Sequence, residues 1–289
     1  MSEIKNTPSW LDKSLFPFKS RFLNIDGNTI HFVDEGQGPV LLLLHGNPTW
    51  SFLYRHIIKK LKSSFRCIAL DYPGFGLSVA NAEYKYTPEE HSFILEKFVE
   101  QLGLDNIRIM VQDWGGPIGL GFAGRRPELI HSLVIGNTWA WPATGAMSIV
   151  SKIFGSGLGR FFITRNNSMM KFILESGMNE KLEENEIAAY LSPFKTKKSR
   201  IPTWIFPKEI VGSRLFLKDV ELGMNNLVDK PVLFIWGDAD GAFREGELSR
   251  LQEFFPKNEL VVLKGVKHYI QENAPDEICK AVLKSKILE

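Results

Sequence analysis

The sequence predicts an α/β fold in which a mostly parallel central sheet is flanked by helices and carries an inserted helical cap. Three observations predict it. Short apolar runs alternate with longer helical patterns in the first half of the chain, as in sheets whose parallel strands are joined through helices. The alternation fails between residues 140 and 224 and then resumes. The length of 289 residues suits one large core with an inserted subdomain.

The candidate strands of the first half are short and rich in β-branched and other apolar residues. The turn signal Asp26-Gly27 separates the first two, so we expect the sheet to open with an antiparallel pair. Leu41 to Leu44 is apolar at every position, which is typical of a strand buried on both faces. We predict these strands at Arg21 to Ile25, Thr29 to Asp34, Val40 to Leu44, Cys67 to Leu70, Ile107 to Val111 and Ser132 to Ile135.

A helix start follows at Thr87-Pro88-Glu89-Glu90, with a threonine cap, a proline in the first turn and a glutamate three residues after the cap. This helix is predicted to reach Leu102 and to end at Gly103. After the cap, the core resumes with four further predicted elements: a strand from Val232 to Trp236, a helix near Glu245 to Phe255, a strand from Glu259 to Leu263 and a closing helix from Pro275.

The predicted domain organisation is a core formed by residues 1–139 and 225–289 and a helical cap formed by residues 140–224. Within the cap, the acidic stretch from Asn179 to Tyr190 predicts a helix. Three prolines lie among basic residues nearby, at Pro193, Pro202 and Pro207.

Composition and charge are those of an ordinary globular protein. The 35 basic and 33 acidic residues give a formal charge of +2, which gives no reason to expect nucleic acid or a membrane as partner. Neither Cys67 nor Cys279 has a metal or redox spacing, so both are expected to be reduced. The first 14 residues lack the apolar segment of a secretory signal, and no long apolar run follows. We expect a cytoplasmic monomer or small homo-oligomer.

The segment Val111-Gln112-Asp113-Trp114-Gly115-Gly116 lies between a predicted strand and a helical pattern. A strand, a sharp turn and a helix form a nucleophile elbow, in which the turn lifts one side chain above the sheet. Asp113 stands where serine would stand in G-x-S-x-G, so it is the candidate nucleophile. The alternative is that Asp113 merely caps the following helix.

Two further acidic and basic residues complete a candidate catalytic set. Asp240 and His268 each follow a predicted strand, and the order Asp113, Asp240, His268 is the nucleophile, acid and histidine order of this elbow architecture. His268 is the only histidine in the last third of the chain. Asp238 competes with Asp240 for the role of the acid, although the G-x-x-D spacing favours Asp240.

The loop His45-Gly46-Asn47-Pro48-Thr49-Trp50 directly follows the buried strand. In this architecture such a loop supplies a backbone N–H to an oxyanion hole. Asn47 could instead only stabilise the turn before Pro48. His45 is predicted to be a hydrogen-bonded structural residue.

Together, these segments resemble the haloalkane dehalogenases of the α/β-hydrolase superfamily over the whole core. The resemblance rests on the pairing of Gln-Asp-Trp-Gly-Gly with His-Gly-Asn-Pro-Thr-Trp. It implies an α/β-hydrolase fold, with Asp113 as nucleophile, His268 as base and the halide held by the indole of Trp114 and the amide of Asn47. Some branches place the acid after the sixth strand, where this chain has Asn137, so the resemblance favours Asp240.

The resemblance implies hydrolysis of a small apolar halogenated substrate by water to an alcohol and halide, with neither a metal nor an organic cofactor. Backbone N–H groups of Asn47 and Trp114 are the expected oxyanion donors. In the cap, Trp204 to Glu209 resembles a family segment near the halide pocket, which makes Phe206 and Pro207 candidates for its lining.

Four rival functions share this scaffold. An epoxide hydrolase would use the same aspartate and histidine set but two cap tyrosines, whereas residues 140–224 contain only Tyr190. A haloacid dehalogenase would place arginines beside the nucleophile, where this chain has Trp-Gly-Gly-Pro. A ligand-binding protein without catalytic activity would usually have a damaged catalytic set, and the sequence shows none. A luciferase-like oxygenase without a cofactor is separated from a dehalogenase by activity measurements and not by motifs.

Overall fold

A computed structural model describes residues 8–288 of the protein. Its eight strands form one sheet in the order β1-β2-β4-β3-β5-β6-β7-β8. The pairs β1–β2 and β2–β4 are antiparallel, and all other neighbouring pairs are parallel. The strands are β1 Arg21–Ile25, β2 Asn28–Glu35, β3 Val40–Leu44, β4 Arg66–Leu70, β5 Ile107–Val111, β6 Ile130–Ile135, β7 Val232–Gly237 and β8 Asn258–Leu263.

Each predicted strand is confirmed to within two residues at either end. The opening hairpin turns at Asp26 and Gly27, which both have positive φ, as a tight two-residue connection requires. Alternate residues of β3 enter different apolar clusters: Leu42 and Leu44 join one, and Leu41 and Leu43 the other. The sheet is therefore covered on both faces, as the unbroken apolar run predicts.

Helices cover the sheet, and a further group of helices lies between β6 and β7 in chain order. The helices of the first group are α1 Arg55–Leu61, α2 Pro88–Leu102, α3 Gly115–Arg125, α10 Glu245–Phe254, α11 Ile270–Asn273 and α12 Pro275–Lys284. Those between β6 and β7 are α4 Gly145–Phe154, α5 Gly157–Arg165, α6 Ser168–Ser176, α7 Glu184–Leu191, α8 Ile201–Gly212 and α9 Arg214–Gly223.

The start and end of α2 are confirmed. The Thr87 side chain accepts the backbone N–H of Glu90 at 3.2 Å, and the Glu90 side chain accepts that of Thr87 at 3.5 Å. Gly103 ends the helix in the left-handed conformation, with φ 59°. Local sequence therefore sets both ends of this helix.

The helix predicted from Asn179 to Tyr190 begins later, at Glu184. Asn179 instead binds the loop after β8, because its side-chain amide donates to the Gly265 carbonyl at 2.6 Å and accepts the Lys267 N–H at 2.9 Å. These tertiary hydrogen bonds hold residue 179 outside the helix, so the acidic pattern predicts too early a start.

Between residues 8 and 288, no single helix is both long and apolar enough to cross a membrane. Helices α4 and α5 meet that test only as a pair, bent by 66°.

Candidate active site

Asp113 lies in the turn between β5 and α3, with φ 51°. This left-handed conformation is uncommon for a residue with a side chain and is typical of the elbow that the sequence predicts. The turn is held by the Asp113 N–H, which donates to the Asn137 carbonyl at 2.8 Å. A Cβ atom on Gly115 would lie 2.3 Å from the Leu44 carbonyl oxygen, so the close approach of α3 to β3 requires glycine.

The Asp113 carboxylate has two different environments. Its Oδ1 accepts the backbone N–H of Asn47 at 2.7 Å. A Cβ atom on Gly46 would lie 2.1 Å from that same oxygen, so the loop after β3 reaches the carboxylate only with glycine there. Its Oδ2 lies 3.7 Å from His268 Nε2. One oxygen is thus held by the backbone, and the other faces the histidine.

Burial raises the pKa of Asp113 above its ordinary value. The charge of His268 and backbone hydrogen bonds from Trp114 and Asn47 lower the pKa again, without cancelling the effect of burial. A poorly solvated carboxylate is a stronger nucleophile than one surrounded by water, provided that the pH keeps it ionised.

His268 and Asp240 meet at the same edge of the sheet because β7 and β8 are parallel neighbours. His268 Nδ1 lies 2.9 Å from Asp240 Oδ2, and Asp240 is 5% exposed. The other oxygen of Asp240 accepts the backbone N–H of Ala242 at 2.7 Å. Asp238 instead accepts the Gly265 N–H at 2.7 Å and pairs with Lys264, away from the histidine. The geometry brings Asp240, and not Asp238, to His268.

The pKa of His268 is raised above its ordinary value. Burial lowers the pKa, but the charges of Asp240 and Asp113 and the hydrogen bond to Asp240 raise it further than burial lowers it. His268 can act as a base only in its neutral form, so its raised pKa moves the pH range in which it is competent upward.

Gln112, which sequence reasoning did not select, is fully buried beside His268. Its side-chain nitrogen lies 3.1 Å from His268 Nε2 and 3.2 Å from the His268 carbonyl oxygen. An amide N–H can only donate, so Nε2 carries a lone pair and Nδ1 carries the proton that faces Asp240. Gln112 therefore favours the tautomer that can act as a base. A polar residue between strand β5 and the candidate nucleophile Asp113 is the sequence signal that could have identified it.

A pocket of about 520 Å³ lies against Asp113, Trp114, Asn47 and His268. Its remaining lining is mostly apolar, as small-molecule sites usually are. The apolar side chains from the helices between β6 and β7 are Val150, Phe154, Ile163, Ile173, Pro207 and Ile210.

The candidate halide donors differ in what they already bind. The Trp114 indole N–H makes no hydrogen bond to any residue between 8 and 288, whereas the Asn47 amide donates to the Thr203 carbonyl at 3.2 Å. An amide has two N–H groups, so Asn47 keeps a second donor. Of the two predicted lining residues, Pro207 borders the pocket, whereas Phe206 is fully buried with its ring 5.1 Å from that of Trp114.

His45 and Asn137 have both of their polar ends occupied. His45 Nδ1 lies 2.9 Å from the Gly46 carbonyl oxygen, and its Nε2 accepts the Tyr72 N–H at 3.2 Å. Burial lowers the pKa of His45 to about 4. The Asn137 amide donates to the Gly237 carbonyl and accepts the Gly237 N–H, at 2.9 and 2.8 Å. Both residues hold loops in place and make no hydrogen bond to His268.

One group in the described part of the chain has the spacing of metal ligands. His56, Glu186 and Glu272 bring ligand atoms within 4.8 Å of one another. Arg55 already contacts both carboxylates, and its Nη2 lies 2.7 Å from Glu186. The cluster is an ion-pair network centred on Arg55, and it does not border the pocket at Asp113.

Comparisons with known proteins identify the fold and the family. Residues 39–275 match the family model described as the alpha/beta hydrolase fold. A relative named haloalkane dehalogenase 2, from Mycobacterium tuberculosis, is 41% identical over 94% of this chain and 96% of its own. A relative named cis-3-alkyl-4-alkyloxetan-2-one decarboxylase, from Shewanella oneidensis, is 34% identical over 92% of this chain and 87% of its own.

A solved structure gives the same assignment. A haloalkane dehalogenase from Bradyrhizobium elkani matches with a TM-score of 0.84 at 25% identity, over 91% of this chain and 95% of the other. The fold class and the resemblance drawn from the elbow and the Asn47 loop are thus confirmed. The chain belongs to the haloalkane dehalogenase family of the α/β-hydrolase superfamily.

Proposed function

We propose that the protein hydrolyses haloalkanes to an alcohol and a halide through an ester on Asp113. The main support for this proposal is the environment of the Asp113 carboxylate. One of its oxygens is fixed by the Asn47 N–H at 2.7 Å, the other faces His268, and both lie against an apolar pocket. A carboxylate in this position can attack an sp³ carbon without any proton transfer.

In the first step, Asp113 Oδ2 attacks the carbon that bears the halogen, and the carbon–halogen bond breaks with both electrons passing to the halide. The leaving halide carries a full negative charge into a mostly apolar pocket. N–H donors set before the reaction stabilise such a charge, because they do not have to reorganise. The Trp114 indole and the free N–H of the Asn47 amide are the donors that we assign to it.

In the second step, His268 Nε2 takes a proton from water, and the hydroxide adds to the Asp113 ester carbon. Oδ1 becomes the oxyanion in the position where the Asn47 N–H already donates. Collapse of this intermediate releases the alcohol, which receives the proton from His268, and Asp113 then loses the second proton of the water molecule to solvent and is again a carboxylate. Asp240 holds the protonated ring through Nδ1.

The proposal is tested by measuring halide release from chlorinated, brominated and iodinated alkanes of increasing chain length. We expect release from at least the bromoalkanes and none from folded Asp113→Ala. Release by Asp113→Ala at the rate of the unaltered protein would refute the proposal.

The relative from Shewanella oneidensis supports a second candidate, decarboxylation of a cis-3,4-dialkyl-oxetan-2-one. Asp113 could open such a ring at C4, with the ring carboxylate as leaving group. The resulting ester could lose CO2 as Asp113 departs and a carbon–carbon double bond forms. This route needs no water. Incubation with the lactone and with a bromoalkane of matched length separates the two candidates, because the lactone would yield an alkene and CO2.

The epoxide hydrolase alternative has less support from the geometry. Tyr190 is fully buried, and its hydroxyl hydrogen-bonds the carboxylate of Glu272. It does not border the pocket at Asp113. The one tyrosine in residues 140–224 is therefore not placed to protonate an epoxide oxygen there.

A further inference from the structure

The outer surface of α4, α5 and α6 carries large apolar side chains that face solvent. We call this set the cap patch, and each of its members is 48 to 68% exposed. They are Ile149, Ile153, Leu158, Phe161, Phe162 and Phe172. Single exposed apolar side chains are ordinary, but a group of them on packed helices marks a surface that binds something.

The members of the cap patch lie on three helices that pack in succession. Ile149 and Ile153 are one turn apart on α4, and Leu158 and Phe162 are one turn apart on α5. The rings of Phe161 and Phe162 lie 5.5 Å apart. Helix α4 packs on α5, and α5 packs on α6, which carries Phe172.

The chain segment that carries the cap patch is rich in positive charge. Residues 129–174 contain no Asp or Glu, and their four Lys and Arg residues are all exposed. These are Lys152, Arg160, Arg165 and Lys171. The first acid after them, Glu175, pairs with Lys171 at 3.7 Å. The formal charge of +2 for the whole chain hides this local excess of positive charge.

We propose that the cap patch docks on an anionic phospholipid bilayer. Amphipathic helices with bulky apolar residues beside Lys and Arg lie in the interface between headgroups and acyl chains, where basic residues meet anionic headgroups. A second copy of this chain fits less well, because a two-fold contact would set the patch and its basic residues against themselves. The earlier expectation of no membrane partner rested on total charge and on the lack of a long apolar run.

Other residues of the same helices border the active-site pocket. Val150 and Phe154 of α4, Ile163 of α5 and Ile173 of α6 line it. Docked through the cap patch, the protein would hold its pocket next to the acyl chains, in which long apolar substrates dissolve. This last step rests on the proposed function, whereas docking itself does not.

Docking is tested by co-sedimentation of the full chain with phosphatidylcholine vesicles, with and without phosphatidylglycerol. We expect binding to the mixed vesicles, weaker binding to pure phosphatidylcholine, and loss of binding at high salt. Ile153→Ser and Phe172→Ser should each weaken binding on the order of tenfold. Lys152→Glu should weaken it about fivefold or more at low salt. The pocket at Asp113 is not lined by Ile153, Phe172 or Lys152.

Matched changes elsewhere on the surface provide the controls. On α12, Leu283→Ser removes an exposed apolar side chain and Lys284→Glu reverses an exposed charge, and both should leave binding unchanged. Equal loss in these controls, or no binding of the unaltered protein to mixed vesicles, would overturn the proposal. So would a dimer in sedimentation velocity that Phe172→Ser dissociates, since the cap patch would then join two copies.

Rates on two substrates separate docking from catalysis. Ile153→Ser should retain its rate on a short, water-soluble bromoalkane and lose rate on a long bromoalkane presented in mixed vesicles. Vesicle binding without any halide release would overturn the proposed function and leave the docking proposal standing. Equal rates of Ile153→Ser and the unaltered protein on the vesicle-bound substrate would contradict delivery from the bilayer.

Discussion

The two candidate halide donors predict different consequences when each is removed. Trp114→Phe deletes a donor that is free before substrate binds, so halide release should slow on the order of 10²-fold, as for deletion of an oxyanion donor. Asn47→Ala deletes a donor and also the hydrogen bond to the Thr203 carbonyl of α8. We expect a loss of the same order or greater, because α8 is then held less firmly.

Halide identity provides the control for this pair. The donors act on the leaving group, so both variants should lose more rate with chloroalkanes than with iodoalkanes, because chloride concentrates its charge more. Their backbone N–H groups remain, so hydrolysis of an ester already formed on Asp113 should change little. An equal loss on every halide would show that these residues do not stabilise the leaving group.

Gln112 predicts a change in pH dependence. The turnover rate requires neutral His268, whose pKa is raised, so the rate should fall as the pH drops through that value. Gln112 donates to Nε2 of the neutral ring and opposes protonation. Gln112→Leu should therefore shift the acid limb of the pH–rate profile, the fall in turnover rate at low pH, to higher pH by about 0.5 to 1 unit. This shift corresponds to the free energy of one ordinary hydrogen bond.

Gln112→Glu is the matched variant of the same shape. Its carboxylate would stabilise the protonated ring, so the acid limb should move further in the same direction. Lower rates with an unchanged limb in both variants would mean that Gln112 only fills space beside His268.

At the scale of elements, a buried ionic cluster joins α1, α7 and α11. Arg55 is fully buried and contacts Glu272 through both terminal nitrogens of its guanidinium group, Nη1 and Nη2. Its Nη2 also lies 2.7 Å from a carboxylate oxygen of Glu186. The hydroxyl of Tyr190 donates to Glu272. Because Glu272 follows His268 by four residues, the cluster connects α7 to the segment that carries the histidine.

Arg55→Met should lower the free energy of unfolding by about 3–5 kcal/mol, since Glu272 would be left buried without its cation. Arg55→Met combined with Glu272→Leu should recover most of that loss, because the carboxylate that remains, Glu186, is partly exposed to water. Urea denaturation measures both. A double variant as unstable as the single one would show that packing of the Arg55 side chain, and not its charge, is what matters.

For the whole molecule, much of the fold follows from local sequence. Apolar runs such as Leu41 to Leu44 specify strands, and the helix-capping residues Thr87 and Glu90 specify the start of α2. Strands and helix ends are therefore predicted well. The catalytic roles of Asp113, Asp240 and His268 could also be predicted from their order in the sequence, because each residue follows a strand. The parallel pairing of β5 to β8 then brings the ends of these strands to one edge of the sheet.

Features that depend on tertiary packing could not be predicted in this way. Asn179 leaves the helix pattern because it binds the loop before His268. Gln112 acquires a role only because β8 brings His268 beside it. The cap patch depends on which faces of α4 to α6 are left uncovered, and sequence periodicity alone does not say which face that is.

The central claim is that Asp113 forms an alkyl ester which water, activated by His268, then hydrolyses. The most direct measurement is intact mass and peptide mapping of folded His268→Phe after exposure to a bromoalkane. Attack by Asp113 needs no base, so about one halide per site should be released and the protein should gain one alkyl group on Asp113. Multiple turnovers by His268→Phe, or an alkyl group on any other residue, would contradict the account.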